Sequence, residues 1–309
     1  MIALRPALKD YLSMRRALGY KLQRTEKLLA DFIGFVEASA SERVTIDLAI
    51  AWATLPTKGA MNWWAGRLTV VRRFATYLHT LDPTIEVPPT DLLPLRSHRA
   101  VPYLYSDGDI VALMTAAEEI LRSPLRVLTY RTLIALLAVT GMRIGEAIRL
   151  NRHDLDSEAG VLTVRLTKFG KSRELPLHTS TLDALHGYLR QRDQLLQRPA
   201  APSLFISTAG TRLLYCNVHW TFLRLVRHVG LQPRSTACRP RLHDLRHSFA
   251  VRTVIDAYRA DIDVAARLPL LSTYLGHVHP ANTYWYLSAA PELLALAGKR
   301  LERSLEEPI

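Results

Sequence analysis

One short stretch near the middle of the chain has the alternating pattern of a β-hairpin, and it stands alone in a sequence otherwise patterned for helices. Residues 161–168 alternate and are rich in β-branched side chains, Phe169-Gly170 suits a two-residue turn, and residues 171–177 return as a second strand. The segments before and after it place apolar residues at helical spacing. The sequence therefore predicts a mainly α protein with a small β-sheet that includes this hairpin.

The patterning changes near residue 90, which divides the chain into two parts. Residues 1–90 show helical periodicity and no strand-like segment, so they predict a small all-helical domain. Residues 91–104 combine prolines with basic side chains, as an interdomain linker does, and the helical pattern restarts over 105–309. A chain of 309 residues, 49% of them hydrophobic, is long enough for two domains with separate cores.

The chain is strongly basic, with 40 Lys+Arg against 28 Asp+Glu and a formal net charge of +12. This excess favours a polyanionic partner, nucleic acid before an anionic membrane, although an arginine-rich protein without such a partner is the alternative. The longest apolar stretch, 133–139, is too short to cross a bilayer, and no signal peptide is visible, which predicts a cytoplasmic protein. Cys216 and Cys238 lack metal-ligand spacing and predict two free thiols, with a disulfide left open.

Side chains suited to phosphate chemistry are concentrated in the last quarter of the chain. His243 and Arg246 are three residues apart and so share one face of a predicted helix. His277 follows a Leu-Gly pair, and two tyrosines, Tyr284 and Tyr286, come shortly after it. A cationic pair on a packed helix with a phenol downstream suits the handling of a phosphodiester.

Two more cationic side chains stand on separate elements upstream: Arg143 in a Gly-x-Arg-x-Gly-Glu turn, and Lys168 at the predicted hairpin tip. Phosphoryl transfer explains the whole set. Its transition state concentrates negative charge on two non-bridging oxygens, and the forked donors of two arginines match that geometry. A lysine or histidine can protonate the leaving oxygen, a second histidine can help the nucleophile lose its proton, and a tyrosine phenol can attack phosphorus.

At these residues the sequence resembles the tyrosine recombinases, the phage-integrase family of site-specific DNA strand-transfer enzymes. The resemblance implies an α+β tyrosine-recombinase catalytic domain over about residues 105–290, and more loosely a helical N-terminal core-binding domain. Any one of the motifs is weak alone, but their order and spacing agree with the family. They are Thr140-Gly-Met-Arg143-Ile-Gly-Glu146, Thr167-Lys168 with the following Lys-x-Arg-x-x-Pro-Leu strand, His243-Asp-Leu-Arg246-His, Leu275-Gly-His277, and Tyr286.

The resemblance implies a role for each catalytic candidate. Arg143 and Arg246 would clamp the non-bridging oxygens of the scissile phosphate, and His277 would hydrogen-bond to it. These three residues would therefore bind the charge that develops during the reaction.

The remaining candidates would move protons or attack. Lys168 would be the general acid toward the 5′ oxygen, and His243 would assist proton transfer. Tyr286 would attack to give a 3′-phosphotyrosyl DNA and a free 5′ hydroxyl. The family chemistry needs no cofactor, metal or ATP, because the phosphotyrosine retains the free energy of the phosphodiester.

Several assignments have competitors within the sequence. Lys171 competes with Lys168 across the turn, and Tyr284 competes with Tyr286, which the spacing from His277 favours. Arg173 is interpreted, with Lys171, as a phosphate-contacting or solvated residue.

The other polar residues near these motifs have supporting or alternative interpretations. Glu146 is predicted to support Arg143 or its turn. His247 and His279 are interpreted as structural or as supporting neighbours of the site. A zinc site built from His243, His247, His277 and His279 is the alternative, but it would leave the arginines, lysine and tyrosine without roles.

The predicted function is a site-specific DNA recombinase for integration or excision of a mobile element. The expected partner is double-stranded DNA, bound by a homotetramer on two sites, alone or with related recombinases. The alternatives are a catalytically inactive DNA-binding accessory protein of the same fold, a dimer-resolution recombinase, and a relaxing topoisomerase. The apolar helix over 291–303 is predicted to pack either on its own domain or on a neighbouring protomer.

Overall fold

The chain divides into two compact units, Met1–Arg99 and Ala100–Ile309. The computed structural model describes residues 3–39, 43–56, 61–93, 101–165, 172–197, 199–277, 283 and 291–306. None of the helices within these ranges is long and apolar enough to cross a membrane.

The first unit is built from helices, as the sequence predicted, and no strand occurs in its described part. Each helix buries its apolar stripe in one shared core, where Phe32 and Trp52 meet edge to face at 5.2 Å. The Thr45 side chain caps the third helix by accepting a hydrogen bond from the Leu48 amide. The four helices are α1 (Leu4–Ala17), α2 (Gln23–Ala38), α3 (Ile46–Thr54) and α4 (Met61–Leu81).

The second unit contains the remaining helices and the sheet. Its first helix begins with a capping box, in which Ser106 and Asp109 each accept from the other's backbone amide. The helices are α5 (Asp107–Ile120), α6 (Pro124–Thr140), α7 (Ile144–Arg149), α8 (Thr179–Leu195), α9 (Tyr215–Val229), α10 (Asp244–Arg259), α11 (Val264–Leu275) and α12 (Pro291–Glu306).

The sheet has three antiparallel strands in the order β1 (Leu155–Asp156), β2 (Val161–Val164) and β3 (Arg173–Pro176). Val164 pairs with Arg173 at the end of the β2–β3 ladder that adjoins the connection between the two strands. The prediction of a mainly α fold with a small β-sheet is therefore confirmed, although β1 was not foreseen because two residues are too few to form a pattern. The predicted turn at Phe169-Gly170 lies outside the described residues.

Two helices of the second unit, α6 and α11, each end at a glycine with a positive φ angle. Gly141 follows α6 with φ +58°, and Gly276 follows α11 with φ +68°, so both lie in the left-handed region that favours glycine. The His277 amide donates to Ser272 O at 3.0 Å and the Gly276 amide to Thr273 O at 2.9 Å, which is the Schellman pattern. These turns fix the direction of the chain as it leaves each helix.

Replacing Gly141 by alanine is expected to destabilise the second unit by about 2–5 kcal/mol, because the new methyl adds overpacking to left-handed strain. A Cβ at this position would lie 2.4 Å from Phe249 Cδ1. Gly230→Ala is the matched control, since Gly230 also ends a helix at positive φ but has nothing within 4 Å of the built Cβ. Urea titrations measure the free energy of unfolding of both variants. Equal losses of stability would show that the Phe249 ring moves aside at no cost.

Both cysteines are free thiols, as predicted. Cys238 is buried and its sulfur lies 3.6 Å from Pro102 O, whereas Cys216 is exposed on α9. The open alternative of a disulfide between them is therefore wrong.

Candidate active site

Four of the six predicted catalytic residues lie in the part of the chain that the structure describes, and all four belong to the second unit. Arg143 precedes α7, His243 precedes α10, Arg246 lies in the first turn of α10, and His277 follows α11. The two remaining candidates, Lys168 and Tyr286, lie outside the described residues. So do their competitors, Lys171 and Tyr284, and His279 of the zinc alternative.

Arg246 is held between the ends of two helices. Its Nη1 donates to Gly141 O at 2.8 Å, at the end of α6, and its Nη2 donates to Leu275 O at 2.7 Å, at the end of α11. The last carbonyls of a helix have no intrahelical partner and carry partial negative charge, so they are good acceptors for a guanidinium. The residue is only 2% exposed. The fold therefore fixes this cation before any ligand is bound.

His277 is oriented by the same guanidinium. Its Nε2 lies 2.9 Å from Arg246 Nη2, and its Nδ1 lies 2.8 Å from Thr283 Oγ1. An arginine can only donate, so Nε2 must accept, and the ring proton sits on Nδ1 and is donated to Thr283. Burial, and then the charges of Arg246, Arg143 and Arg173, lower the pKa of His277 to about 4. The ring is thus neutral near pH 7, with a defined tautomer.

Arg143 is anchored through Glu146, as the sequence predicted. Its Nη1 donates to Glu146 Oε1 at 2.9 Å, and its backbone amide donates to Oε2 at 3.0 Å, which also caps α7. A longer contact of 3.4 Å joins Nη2 to Gly276 O. The Arg143 side chain remains 32% exposed. It is therefore more open to an incoming ligand than Arg246.

The sequence left two alternatives open for Arg173. The prediction of a solvated residue is wrong, because its side chain is only 12% exposed and forms an ion pair with Glu146 at 2.8 Å, whereas phosphate contact stays a prediction. Its Nε also donates to Tyr274 O at 2.8 Å. Alternation along β3 puts Arg173 on the same face as the buried Leu175, which directs it inward.

Glu146 is the buried anion that these arginines share. Burial alone would raise its pKa, but hydrogen bonding and charge from Arg173, together with the bonds from Arg143, outweigh that effect and lower the pKa to about 2. The carboxylate is 3% exposed. It is therefore ionised at any pH at which the protein would work.

His243 stands directly before α10, beside the cationic cluster. The residue as a whole keeps contact with water, while the groups around its imidazole withdraw part of the ring from it. Withdrawal from water, and then the charges of Arg246 and Arg143, lower the pKa of His243 to about 4. The two guanidinium charges act on the ring even where it meets solvent. His247, one turn later, packs edge to face against it with ring centroids 5.0 Å apart. His243 is therefore a neutral imidazole at neutral pH, able to accept a proton.

The sequence interpretation missed the pair that fixes the start of α10. Arg241 donates to both oxygens of Asp244, at 3.0 and 2.8 Å, and Asp244 is completely buried. The turn places His243 between these two residues. The only signal in the sequence was an acidic residue three positions after an arginine at a helix start, which is also common at exposed caps.

The zinc alternative finds no support among the residues that the structure describes. No group of three or more His, Cys, Asp or Glu side chains in those ranges is arranged to hold a metal ion. The fourth histidine of that hypothesis, His279, lies outside them.

The histidines should make stability depend on pH. The pKa values of His243, His247 and His277 are lowered to about 4, 3 and 4, whereas a histidine in the unfolded chain titrates near 6.5. Between these values the unfolded state binds more protons, so stability rises with pH.

We therefore expect the free energy of unfolding to fall as the pH is lowered from about 6.5 to about 4, by the linkage just described. Urea titrations across this range measure it. His247→Gln and His277→Gln should each make the dependence shallower. A flat profile, or two variants with the wild-type slope, would contradict the depressed pKa values.

Comparison with known proteins identifies the class. Residues 104–292 match the model of the phage integrase family. The chain belongs to this family, the tyrosine recombinases. It is 47% identical over 312 aligned residues, spanning 99% of both chains, to a Sinorhizobium fredii protein named as an integrase/recombinase, y4rB. It is also 27% identical to the tyrosine recombinase XerD of Vibrio cholerae, over 74% of this chain and 71% of that protein.

Solved structures show the same fold. The Tn1549 transposon integrase in complex with a circular intermediate DNA aligns with a TM-score of 0.63 and 19% identity, over 96% of this chain and 99% of that one. The XerH recombinase bound to a palindromic difH substrate aligns with a TM-score of 0.60 and 19% identity, over 89% and 78%.

Proposed function

We propose that this protein is a site-specific DNA recombinase that cuts and rejoins strands through a 3′-phosphotyrosyl intermediate. One observation carries the proposal: Arg143, Arg246 and His277 converge on the end of α11 through their contacts, and His243 lies near enough for both guanidinium charges to lower its pKa. Guanidinium forks and neutral imidazoles are the groups that a phosphodiester under attack requires. The net charge of +12 supports DNA as the substrate.

In the proposed reaction, the Tyr286 oxygen attacks phosphorus, and the bond from phosphorus to the 5′ oxygen breaks. The phenolic proton leaves toward His243, whose low pKa keeps it unprotonated beforehand. Lys168 supplies the proton that converts the leaving oxygen to a 5′ hydroxyl. Attack by another 5′ hydroxyl on the phosphotyrosine reverses these steps on a new strand. The phosphotyrosine linkage would retain the free energy of the phosphodiester, so the reaction would need no ATP.

Arg143 and Arg246 would engage the two non-bridging oxygens during this step. Arg143 is the partly exposed cation and would meet the phosphate first. Arg246 now donates to two carbonyls and to His277. A phosphate oxygen that takes the place of His277 Nε2 on Arg246 Nη2 would release the imidazole ring. The ring would then need a proton on Nε2 before that nitrogen could donate to the phosphate.

We assign the first domain, 1–90, and the linker, 91–104, to binding duplex DNA, with 105–309 as the catalytic domain. Recombination exchanges strands between two duplexes, so the working assembly is a tetramer on two sites. A structural neighbour, the lambda integrase, is described as a tetramer bound to a Holliday junction. The relative y4rB, named as an integrase/recombinase, favours integration or excision of a mobile element over dimer resolution.

The decisive experiment is trapping of the covalent complex. The wild-type protein is incubated with a nicked duplex carrying an end of the element that encodes it, so that the cut fragment diffuses away. A labelled adduct resistant to denaturant is expected, formed without metal or ATP, and peptide mapping should place the nucleotide on Tyr286. Specific DNA binding without any adduct would instead support the inactive accessory protein.

A further inference from the structure

Arg173 is a largely buried cation beside the candidate site, and the proposed reaction gives it no role. It lies at the start of β3, within hydrogen-bonding distance of an anion and of a backbone carbonyl. A buried charge with this many specific contacts needs an explanation, because surface solvation would have been less costly. The contacts themselves supply one.

The Glu146 carboxylate is divided evenly between two arginines. Oε1 accepts from Arg143 Nη1 at 2.9 Å and from Arg173 Nη1 at 3.2 Å. Oε2 accepts from the Arg143 backbone amide at 3.0 Å and from Arg173 Nη2 at 2.8 Å. The bidentate fork of Arg173 therefore sets the plane of the carboxylate, and that plane sets the direction of the Arg143 guanidinium.

The same side chain supports the turn that carries His277. Arg173 Nε donates to Tyr274 O at 2.8 Å, in the last turn of α11. Gly276 packs directly on the guanidinium, since a Cβ there would lie 2.9 Å from Arg173 Nη1. The adjacent carbonyl of Leu275 is an acceptor for Arg246. One residue thus contacts the supports of both arginines and of His277.

We propose that Arg173 is a positioning residue that holds Glu146 and the α11 turn in place, so that Arg143 and His277 point into the site. This inference rests on the proposed function, because it assigns Arg173 a part in the same strand-cleavage step. β3 also begins five residues after Lys168 in the sequence. The arginine therefore joins the strand that follows the proposed general acid to the phosphate-binding side chains.

The test separates positioning from DNA binding and from general stability. Arg173→Gln is expected to slow formation of the covalent adduct by about 100-fold, the loss typical of a small misplacement of reacting groups. Its affinity for the DNA site should stay within about twofold, because a positioning residue acts on the reaction step and not on binding in the ground state. Arg173→Lys keeps the charge but not the fork, and should fall between Arg173→Gln and the wild type.

Arg192→Gln is the matched control. Arg192 is also buried, at 2% exposure, and donates to Ser203 O and Leu204 O and to Asp193, away from the candidate site. At a temperature below the melting temperature of every variant, the Arg192→Gln protein should cleave DNA at the wild-type rate. Equal slowing of Arg192→Gln and Arg173→Gln, a wild-type rate in Arg173→Gln, or a loss confined to DNA affinity would each overturn the proposal.

Two further measurements trace the route of the effect. If Arg173 acts through Glu146, the slowing in the double variant Arg173→Gln/Glu146→Gln should be smaller than the product of the two single effects. If the slowing in the double variant equals the product of the two single effects, Arg173 does not act through Glu146.

Hydrogen exchange provides a readout that does not need activity. The Arg143 amide, which donates to Glu146, should exchange faster in Arg173→Gln and not in Arg192→Gln. A wild-type protein that forms no adduct would refute the proposed function, and unchanged exchange would then refute the positioning role separately.

Discussion

Replacement of Tyr286 by phenylalanine is expected to abolish the covalent protein–DNA adduct, while Tyr284→Phe forms it at close to the wild-type rate. Phenylalanine keeps the ring but removes the oxygen that attacks phosphorus, so no alternative path to the intermediate remains. The two tyrosines are a natural matched pair, since the substitutions are chemically identical and two residues apart.

Tyr286 is preferred to Tyr284 because its spacing from His277 agrees with the tyrosine recombinase motifs. Trapping on the nicked substrate, with DNA affinity measured in parallel, tests this choice. Adduct formation by Tyr286→Phe and its loss in Tyr284→Phe would reverse the assignment.

Replacement of Arg246 by lysine is expected to lower the rate of adduct formation by about 10²–10³-fold, the usual cost of removing a donor aimed at developing charge. A lysine has the charge but not the planar fork, so it cannot reach Gly141 O, Leu275 O and His277 at once. A buried carbonyl would also be left without a donor, at a cost of about 1–3 kcal/mol in stability.

Arg252→Lys is the control for this substitution. Arg252 lies on the same helix but is partly exposed and pairs with Asp107, so its replacement should leave the rate of cleavage unchanged. Single-turnover rates at saturating protein, compared at a temperature where both variants are folded, isolate the chemical step. A wild-type rate for Arg246→Lys would mean that Arg246 only joins the ends of α6 and α11.

Local sequence patterns predicted most of the secondary-structure elements in the described part of the chain. Helical periodicity over 1–90 predicted a helical first unit, and the alternation beginning at Val161 predicted β2 and β3. These signals work because helix and strand repeats are set by neighbours a few residues apart. Strand β1 was missed because two residues are too few to show alternation, although its partner β2 begins five residues later.

The contacts between the candidate residues could not be predicted from the sequence. The four described candidates were named from motif order and spacing, and their roles stay predictions; the structure places them at three separate helix ends of the second unit. The solvated alternative for Arg173 was wrong because its sequence neighbours, a serine and a glutamate, suggest an exposed hairpin. Its partners in the structure, Glu146 and Tyr274, are 27 and 101 residues away. Asp244 was missed for a different reason, since its partner Arg241 is three residues away and the same spacing occurs at exposed helix starts.

The sequence by itself determined which elements form and which charged groups the chain can bring to a phosphate. Tertiary structure alone decided that Arg246 is buried between two helix ends, that Glu146 is shared by two arginines, and that His277 carries its proton on Nδ1. These features depend on contacts between residues up to 105 positions apart. Side-chain direction and burial at such distances follow from how the helices pack, and no local pattern encodes that packing.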